Sequence, residues 1–361
     1  MKSKILFILH LPPPVHGSSI VGMYIKESKL VDNTFDGKFI NLSTSLSMNE
    51  IGKNPIIKIS RYSKIFLKIL WNLINFKPNI VYLAITAKGI GFYKDLPIAL
   101  LIKLFRKKLV LHYHNKGVSN FQHRLFDHLL YKILFKNSKV ILLSERLFAD
   151  VSKYVNKKNV YFCPNGIPDV YDLKNKAKKN EIPEILFLSN LIESKGIYIL
   201  LEALKLLKDD GVQFHCNIVG GEGNITSKQL SKKINDLDLD EHVIFLGKKY
   251  GDEKIDILKS SDIFVFPTFY ETFGIVNIEA MMFKLPVIST DEGGIPDIVK
   301  NNKTGFIVEK ENSQQISKKI KWLINNPEKA KLMGERGRDY FLKNYTLEVF
   351  EKRLKKILQD V

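Results

Sequence analysis

From one end of the chain to the other, short apolar runs alternate with amphipathic stretches, and this alternation constrains the fold more than any other feature. In the first half the runs are Ile5–Leu9, Ile80–Ala84, Leu109–Tyr113, Val140–Leu143 and Val160–Cys163. In the second half they are Glu184–Leu188, Phe214–Val219, Val243–Leu246, Ile263–Phe266, Val287–Ser289 and Gly305–Ile307. Strands that are apolar on both faces belong in parallel sheets covered by helices, and helix-period segments lie between them. The pattern is βαβ throughout, so the expected class is α/β with doubly wound parallel sheets.

Length divides this pattern in two. A chain of 361 residues is long for one core and suits two domains. The expected break lies in PDVYDLKNKAKKNEIP (168–183), which is polar, Lys-rich and bounded by prolines. The reading places an N-terminal domain at 1–168 and a C-terminal domain at 169–345. The N-terminus, MKSKILFILHLPPP, has too short an apolar run before His10 and the prolines to be a signal peptide, and reads as a first strand. No segment reaches a membrane-spanning length of apolar residues. Cys163 and Cys216 have no metal-site spacing and read as buried thiols of a reducing compartment. The expected location is cytoplasmic.

Charge is distributed unequally. Residues 1–173 hold 26 Lys plus Arg against 10 Asp plus Glu, whereas residues 174–361 hold 30 against 28. A strongly basic half seeks nucleic acid or an anionic membrane. The segment IIKISRYSKIFLKILWNLINF (56–76) favours the membrane. On a helical wheel, Lys58, Arg61, Lys64, Lys68, Asn72 and Asn75 occupy an arc of about 120°, and aromatic and aliphatic residues fill the rest. IKLFRKK (102–108) adds a second cationic cluster. The expected partner is the inner, anionic face of a membrane, with no nucleic acid.

The stretch TFYETFGIVNIEAMMFKLPVIST (268–290) carries the clearest chemistry. A buried strand ends at Pro267, a loop follows, and helical spacing begins at Ile275, so the first free amides lie near Phe273 and Gly274. Helix N-termini attract anions, and Gly274 permits close approach. Glu279 lies about two turns into the helix, where it can accept hydrogen bonds from a sugar hydroxyl. On spacing alone, a plain βα unit with two solvated acids is an equal reading.

Together with its neighbours, this stretch resembles the donor-binding half of the family 4 retaining glycosyltransferases. The resemblance rests on the E-x7-E pair Glu271 and Glu279 and on ILFLSNLIESKGIYILLEAL (185–204), NIVGGEG (217–223), VIFLGKK (243–249) and DEGGIPDIV (291–299). It implies a GT-B fold, two Rossmann-like domains facing across a cleft, with the last helix (346–361) packing back on the N-terminal domain. It further implies that Glu279 holds the ribose and Glu271 the donor sugar, with Lys195 and the Phe273, Gly274 and Ile275 backbone on the diphosphate and Gly220 beside it. At Asn190 the family usually has an arginine, so one expected cation is missing.

The N-terminal half resembles the family more weakly. LPPPVHGSSIVGMYI (11–25) offers a loop at Gly17 that closes over a diphosphate in the family, though turn and functional loop are equal readings on spacing. In LHYHNKG (111–117), His112 and His114 are read as alternating, so that only one faces the ligand edge. The resemblance makes His114 the contact to the transferred sugar. Ser144, Asn165 and Gly166 are lesser candidates. No phosphate loop of the Gly-x4-Gly-Lys-Ser/Thr type, nucleophile elbow or paired metal spacing occurs, and no metal or cofactor is expected. The resemblance implies retaining transfer of a sugar from a nucleotide-diphospho-sugar to a glycan or lipid-linked acceptor. A nucleotide-sugar epimerase and a catalytically silent membrane partner are the alternatives.

Overall fold

The computed structural model describes residues 2–44, 55–172 and 180–361, so part of the expected linker lies outside the described residues. The chain forms two compact units, Met1–Gly166 with Leu347–Val361, and Ile167–Thr346.

The N-terminal unit is built on β1 (Lys4–Leu9), β2 (Asp36–Asn41), β3 (Ile80–Ile85), β4 (Lys108–Tyr113), β5 (Ser138–Leu142) and β6 (Val160–Phe162), in the parallel order β2-β1-β3-β4-β5-β6. β3 is buried along its whole length, as an all-apolar run requires. The returning helix Leu347–Asp360 belongs to this unit and buries Phe350, Leu354 and Leu358. Each such side chain contributes about 1.5–3 kcal/mol. Tyr161 donates to Asp360 (2.8 Å) and Lys108 to the Val361 carbonyl (2.8 Å), so the chain's last turn is tied to two strands.

The C-terminal unit uses β7 (Glu184–Leu188), β8 (His215–Val219), β9 (Val243–Gly247), β10 (Ile263–Phe266), β11 (Val287–Thr290) and β12 (Gly305–Val308), parallel in the order β12-β11-β10-β7-β8-β9. Helix Ile197–Asp209 buries Ile197, Leu200, Leu201, Leu204 and Leu207, one apolar face at helical spacing. Gly334, in helix Pro327–Asn344, lies so close to the Lys284 carbonyl that a Cβ would stand 1.8 Å from its oxygen.

Two sequence expectations are corrected. β2, DGKFIN, lacks an apolar run. It pairs with β1 alone as an edge strand, anchored by stacking of Phe39 on Phe7 at 4.8 Å. The helix over Pro55–Asn75 forms, but its polar arc does not all face outward: Lys64, Lys68 and Asn75 are exposed, Lys58 and Arg61 are half-buried, and Asn72 is buried. Ile69, Asn72 and Leu73 turn inward, Arg61 donates to the Thr44 carbonyl (3.0 Å), and Leu67, Trp71 and Ile74 are exposed. A wheel gives the angular spread of residues but not which arc meets the sheet. Both cysteines are free and buried.

Candidate functional site

In each sheet the strand order reverses beside the unit's first strand, between β1 and β3 and between β7 and β10. At such a point successive connections leave toward opposite faces, and their loops part to open a crevice at the carboxyl ends of the strands. Each unit therefore has one place where its fold prepares a ligand site.

In the C-terminal unit the two loops at the reversal are stitched together. After β7 the chain turns through a short 3-10 segment, Glu193–Lys195, to Gly196 at φ +81°, where a Cβ would lie 2.1 Å from the Pro267 carbonyl oxygen. Only glycine fits there. The Ser194 carbonyl accepts from the Phe269 amide (2.9 Å) and from the Thr268 hydroxyl (2.8 Å). This contact carries Lys195 to the second loop. Its ammonium donates to Glu271 Oε2 (2.9 Å) and to the Tyr270 carbonyl (3.1 Å).

Glu271 is held from several sides. Its Oε1 accepts from the Thr272 amide (2.8 Å) and, at 3.4 Å, from the Phe273 amide. The Phe273 amide expected for a diphosphate thus already faces an internal carboxylate. Glu292 Oε1 accepts the Glu271 amide (3.2 Å), while its Oε2 pairs with Lys310 (2.7 Å). Gly293 allows this approach: at φ +53°, a Cβ there would stand 2.4 Å from the Glu271 carbonyl oxygen. Gly274, at φ +86°, caps helix Ile275–Met282. Glu279 lies one turn into the helix, not the two expected, because the helix starts only at Ile275, and it pairs with Lys254 of helix Gly251–Ser260 at 2.8 Å.

Asn190, the residue at the position of the family's usual arginine, is engaged within the unit. Its Oδ1 accepts the Gly221 amide (3.0 Å), and the Leu191 amide donates to the Gly221 carbonyl (2.7 Å), so the residue ties the β7 loop to the β8 loop. Gly220 sits against this junction, where a Cβ would be 1.8 Å from the Ser189 carbonyl oxygen.

At the other reversal, in the N-terminal unit, a cavity of about 290 Å³ is lined by His10, His16, Thr86, His114 and Asn115, among others. His16 caps helix Gly17–Glu27, so Gly17 is that helix's first residue, and Ser18 bonds the His16 ring at 3.0 Å. His112 and His114 do not divide between faces. Their ring centroids are 4.2 Å apart, because residues two apart on a strand share a side. His112 shares a hydrogen bond with Tyr82 beneath, and His114 reaches the cavity. Nδ1 of His114 is buried with no hydrogen-bond partner. Burial, with a smaller effect from His16, lowers the His114 pKa to about 4. Burial likewise lowers that of His10 to about 3, with Lys94 adding to the shift. Both rings are neutral near pH 7. Asp150 fixes the turn after His114 by accepting the amides of Gly117 (2.8 Å), Val118 (3.1 Å) and Ser119 (2.9 Å). Of the lesser candidates, Ser144 and Asn165 are buried, and Ser144 caps the turn at Glu145–Leu147.

Sequence reasoning did not single out Lys254, Glu292, Lys310, His10, His16 or Asp150. Glu292 lay inside a quoted motif and His16 inside a quoted loop. For Lys254 and Asp150 no local spacing gave a signal.

Residues 171–340 match the family model described as Glycosyl transferases group 1. A poly(ribitol-phosphate) alpha-N-acetylglucosaminyltransferase of Staphylococcus aureus is 30% identical over 224 residues, 61% of this chain and 43% of that protein. An uncharacterized glycosyltransferase of Methanocaldococcus jannaschii is 29% identical over 217 residues, 58% of each chain. These alignments span well under two thirds of the relatives' length. Across 99% of this chain, a sucrose-phosphate synthase of Thermosynechococcus elongatus superposes with a TM-score of 0.78 at 18% identity, covering 99% of that chain. The HepE protein of Anabaena, solved in complex with UDP, superposes at 0.76 and 16% identity, covering 99% of this chain and all of its own. The chain has the GT-B fold of these solved structures, and most of its C-terminal unit is similar to the group 1 glycosyltransferases.

Proposed function

We propose that the protein is a retaining glycosyltransferase that moves a sugar from a nucleotide-diphospho-sugar to a hydroxyl of a glycan or lipid-linked acceptor. The observation that carries this reading is the E-x7-E pair at the β7/β10 reversal, with Glu271 facing Lys195 and Glu279 facing Lys254. Donor chemistry needs a cation beside the diphosphate and acceptors for the sugar and ribose hydroxyls. Lys195 supplies the first, Glu271 and Glu279 the second.

In this account the Lys195 ammonium, paired with Glu271, also faces the donor diphosphate and stabilises the charge that builds on it as the glycosidic bond breaks. Charge-assisted hydrogen bonds of this kind contribute about 1.5–3 kcal/mol each. The departing phosphate oxygen takes the acceptor's proton on the same face of the sugar, so no enzyme nucleophile is required and the work is positioning. His114, neutral and with an unbonded ring nitrogen, serves as a hydrogen-bonding contact for the transferred sugar. Uridine is the first choice of base, since a structural neighbour was solved with UDP. The basic N-terminal half suits an anionic membrane surface, where a lipid-linked acceptor would lie. In this reading the association is peripheral; among the described residues no helix is long and apolar enough to cross a membrane.

The test is incubation of purified protein with a panel of nucleotide sugars, with and without lipid-linked glycan acceptors. Acceptor-dependent release of nucleoside diphosphate with sugar transfer supports the proposal. Conversion of the donor without acceptor would point to an epimerase, and no turnover with any donor would point to a silent partner.

A further inference from the structure

Three neighbouring helices of the N-terminal unit turn apolar side chains outward. Helix Pro55–Asn75 exposes Ile56, Ile59, Leu67, Trp71 and Ile74, spaced at one helical face. Helix Gly89–Leu104 exposes Ile90, Tyr93, Leu100 and Leu104, and the last is 76% exposed. Helix Leu125–Phe135 exposes Leu125, Phe126, Leu129 and Ile133, with Leu125 at 83%. The helices are bonded side by side. Tyr62 donates to the Lys94 carbonyl (2.8 Å), Tyr93 donates to Asp127 (2.6 Å), and the Tyr93 ring lies 6.2 Å from Phe126. Soluble surfaces scatter exposed apolar residues singly. Exposed apolar residues grouped on three adjacent helices mark a surface that meets an apolar partner.

Charge selects the partner. Residues 56–136 hold fifteen Lys and Arg and two acids, Asp95 and Asp127. Both acids are buried, at 0% and 2% exposure, so the segment's exposed charge is positive. A second copy of the chain would set like charges against each other, whereas an anionic bilayer offers both a hydrocarbon boundary and neutralising headgroups.

We infer that these three helices form one platform that inserts its apolar stripes into the headgroup–acyl boundary of an anionic membrane. This deepens, and rests on, the membrane part of the proposed function. It differs in mechanism, because insertion of Trp71, Leu104, Leu125 and Phe126 holds the protein while Lys64 and Lys68 only attract it. The chain has two tryptophans, and Trp322 packs edge-on against Phe306 at 5.2 Å in the other unit. Trp322→Phe therefore leaves Trp71 as the single reporter.

The experiment adds phosphatidylglycerol-containing or pure phosphatidylcholine vesicles to the full-length Trp322→Phe protein. With anionic vesicles, Trp71 emission should shift to the blue and be quenched by lipids brominated on the acyl chain. Once bound, the signal should largely survive about 1 M salt, where the screening length is about 3 Å. The triple variant Leu104→Ser/Leu125→Ser/Phe126→Ser, altered only at exposed positions, should sediment with vesicles at least about tenfold less well. Binding that salt abolishes, with no acyl-chain quenching and no loss in the triple variant, would overturn insertion while leaving an electrostatic membrane contact. No binding to either vesicle, with nucleotide-induced thermal stabilisation intact, would remove the membrane part of the reading and spare the donor site. A concentration-dependent dimer in light scattering, lost in the triple variant while vesicle binding is unchanged, would reassign the platform to self-association.

Discussion

Replacing Lys195 by alanine separates the donor-site account from a purely structural role for this pair. The ammonium touches Glu271 Oε2 and the Tyr270 carbonyl, and both charged side chains are about one-fifth exposed (19% and 21%). Partly solvated pairs stabilise a fold by about 1 kcal/mol or less. Glu271 also keeps the Thr272 amide at 2.8 Å, so the melting temperature should fall by only about 2–4 °C. Donor turnover should suffer more. Loss of one charge-assisted bond to the diphosphate, about 1.5–3 kcal/mol, lowers kcat/KM for transfer by about ten- to two-hundredfold. Lys195→Arg should recover part of this, because its charge is kept but its fork differs from a compact ammonium. The assay is initial-rate transfer at subsaturating nucleotide sugar, with melting measured in parallel. If Lys195→Ala lowers the melting temperature by 10 °C or more and leaves the rate per folded molecule unchanged, the residue is structural and the reasoning fails.

Other changes sort the remaining residues. Glu279→Gln should weaken nucleoside diphosphate binding by calorimetry about tenfold or more, whereas Lys254→Ala, which leaves the carboxylate in place, should weaken it less; equal losses would mean that the ion pair, not the carboxylate, is what matters. His114→Ala should reduce transfer with little change in nucleotide affinity, and parallel loss of both would mark a structural histidine. The folded-state pKa of His114, about 4, and of His10, about 3, lie below the ordinary 6.5, so the unfolded chain binds more protons in between. Stability from these rings is complete above pH 6.5 and falls as pH drops toward 4, by up to about 1.4 kcal/mol per pH unit for each. Denaturation midpoints across that range should show the slope, and His114→Asn should flatten it. Asp150→Ala frees three amides of the turn after His114 and should lower transfer with nucleotide affinity kept, whereas a loss of nucleotide affinity would contradict the placement.

The strands were legible because a strand buried on both faces must be apolar throughout, and Glu184–Leu188 and Ile263–Phe266 occupy the spans their runs suggest. β2 was not, since an edge strand with one neighbour can be as polar as DGKFIN. In the candidate site, residues in one loop, such as Glu271 and Gly274, could be located from local spacing. Their partners could not. Lys254 meets Glu279 from the preceding helix, across β10, and Glu292 meets Glu271 across β11, contacts that follow from strand order. The rotation of helix Pro55–Asn75 was hidden for a related reason: its composition allows several apolar arcs, and packing of Ile69 and Leu73 selects one.

The central claim is a nucleotide-sugar site in the C-terminal unit, and a thermal-shift titration with nucleoside diphosphates and their sugars tests it most directly. A ligand at one hundred times its dissociation constant stabilises the form that binds it by about 2.7 kcal/mol. In a domain of this size that raises the melting temperature by about 5–10 °C. The account expects uridine diphosphate or a uridine-diphosphate sugar to produce this shift in wild type and a smaller one in Glu279→Gln. If no nucleoside diphosphate moves the melting temperature at millimolar concentration, the donor site as described here does not exist.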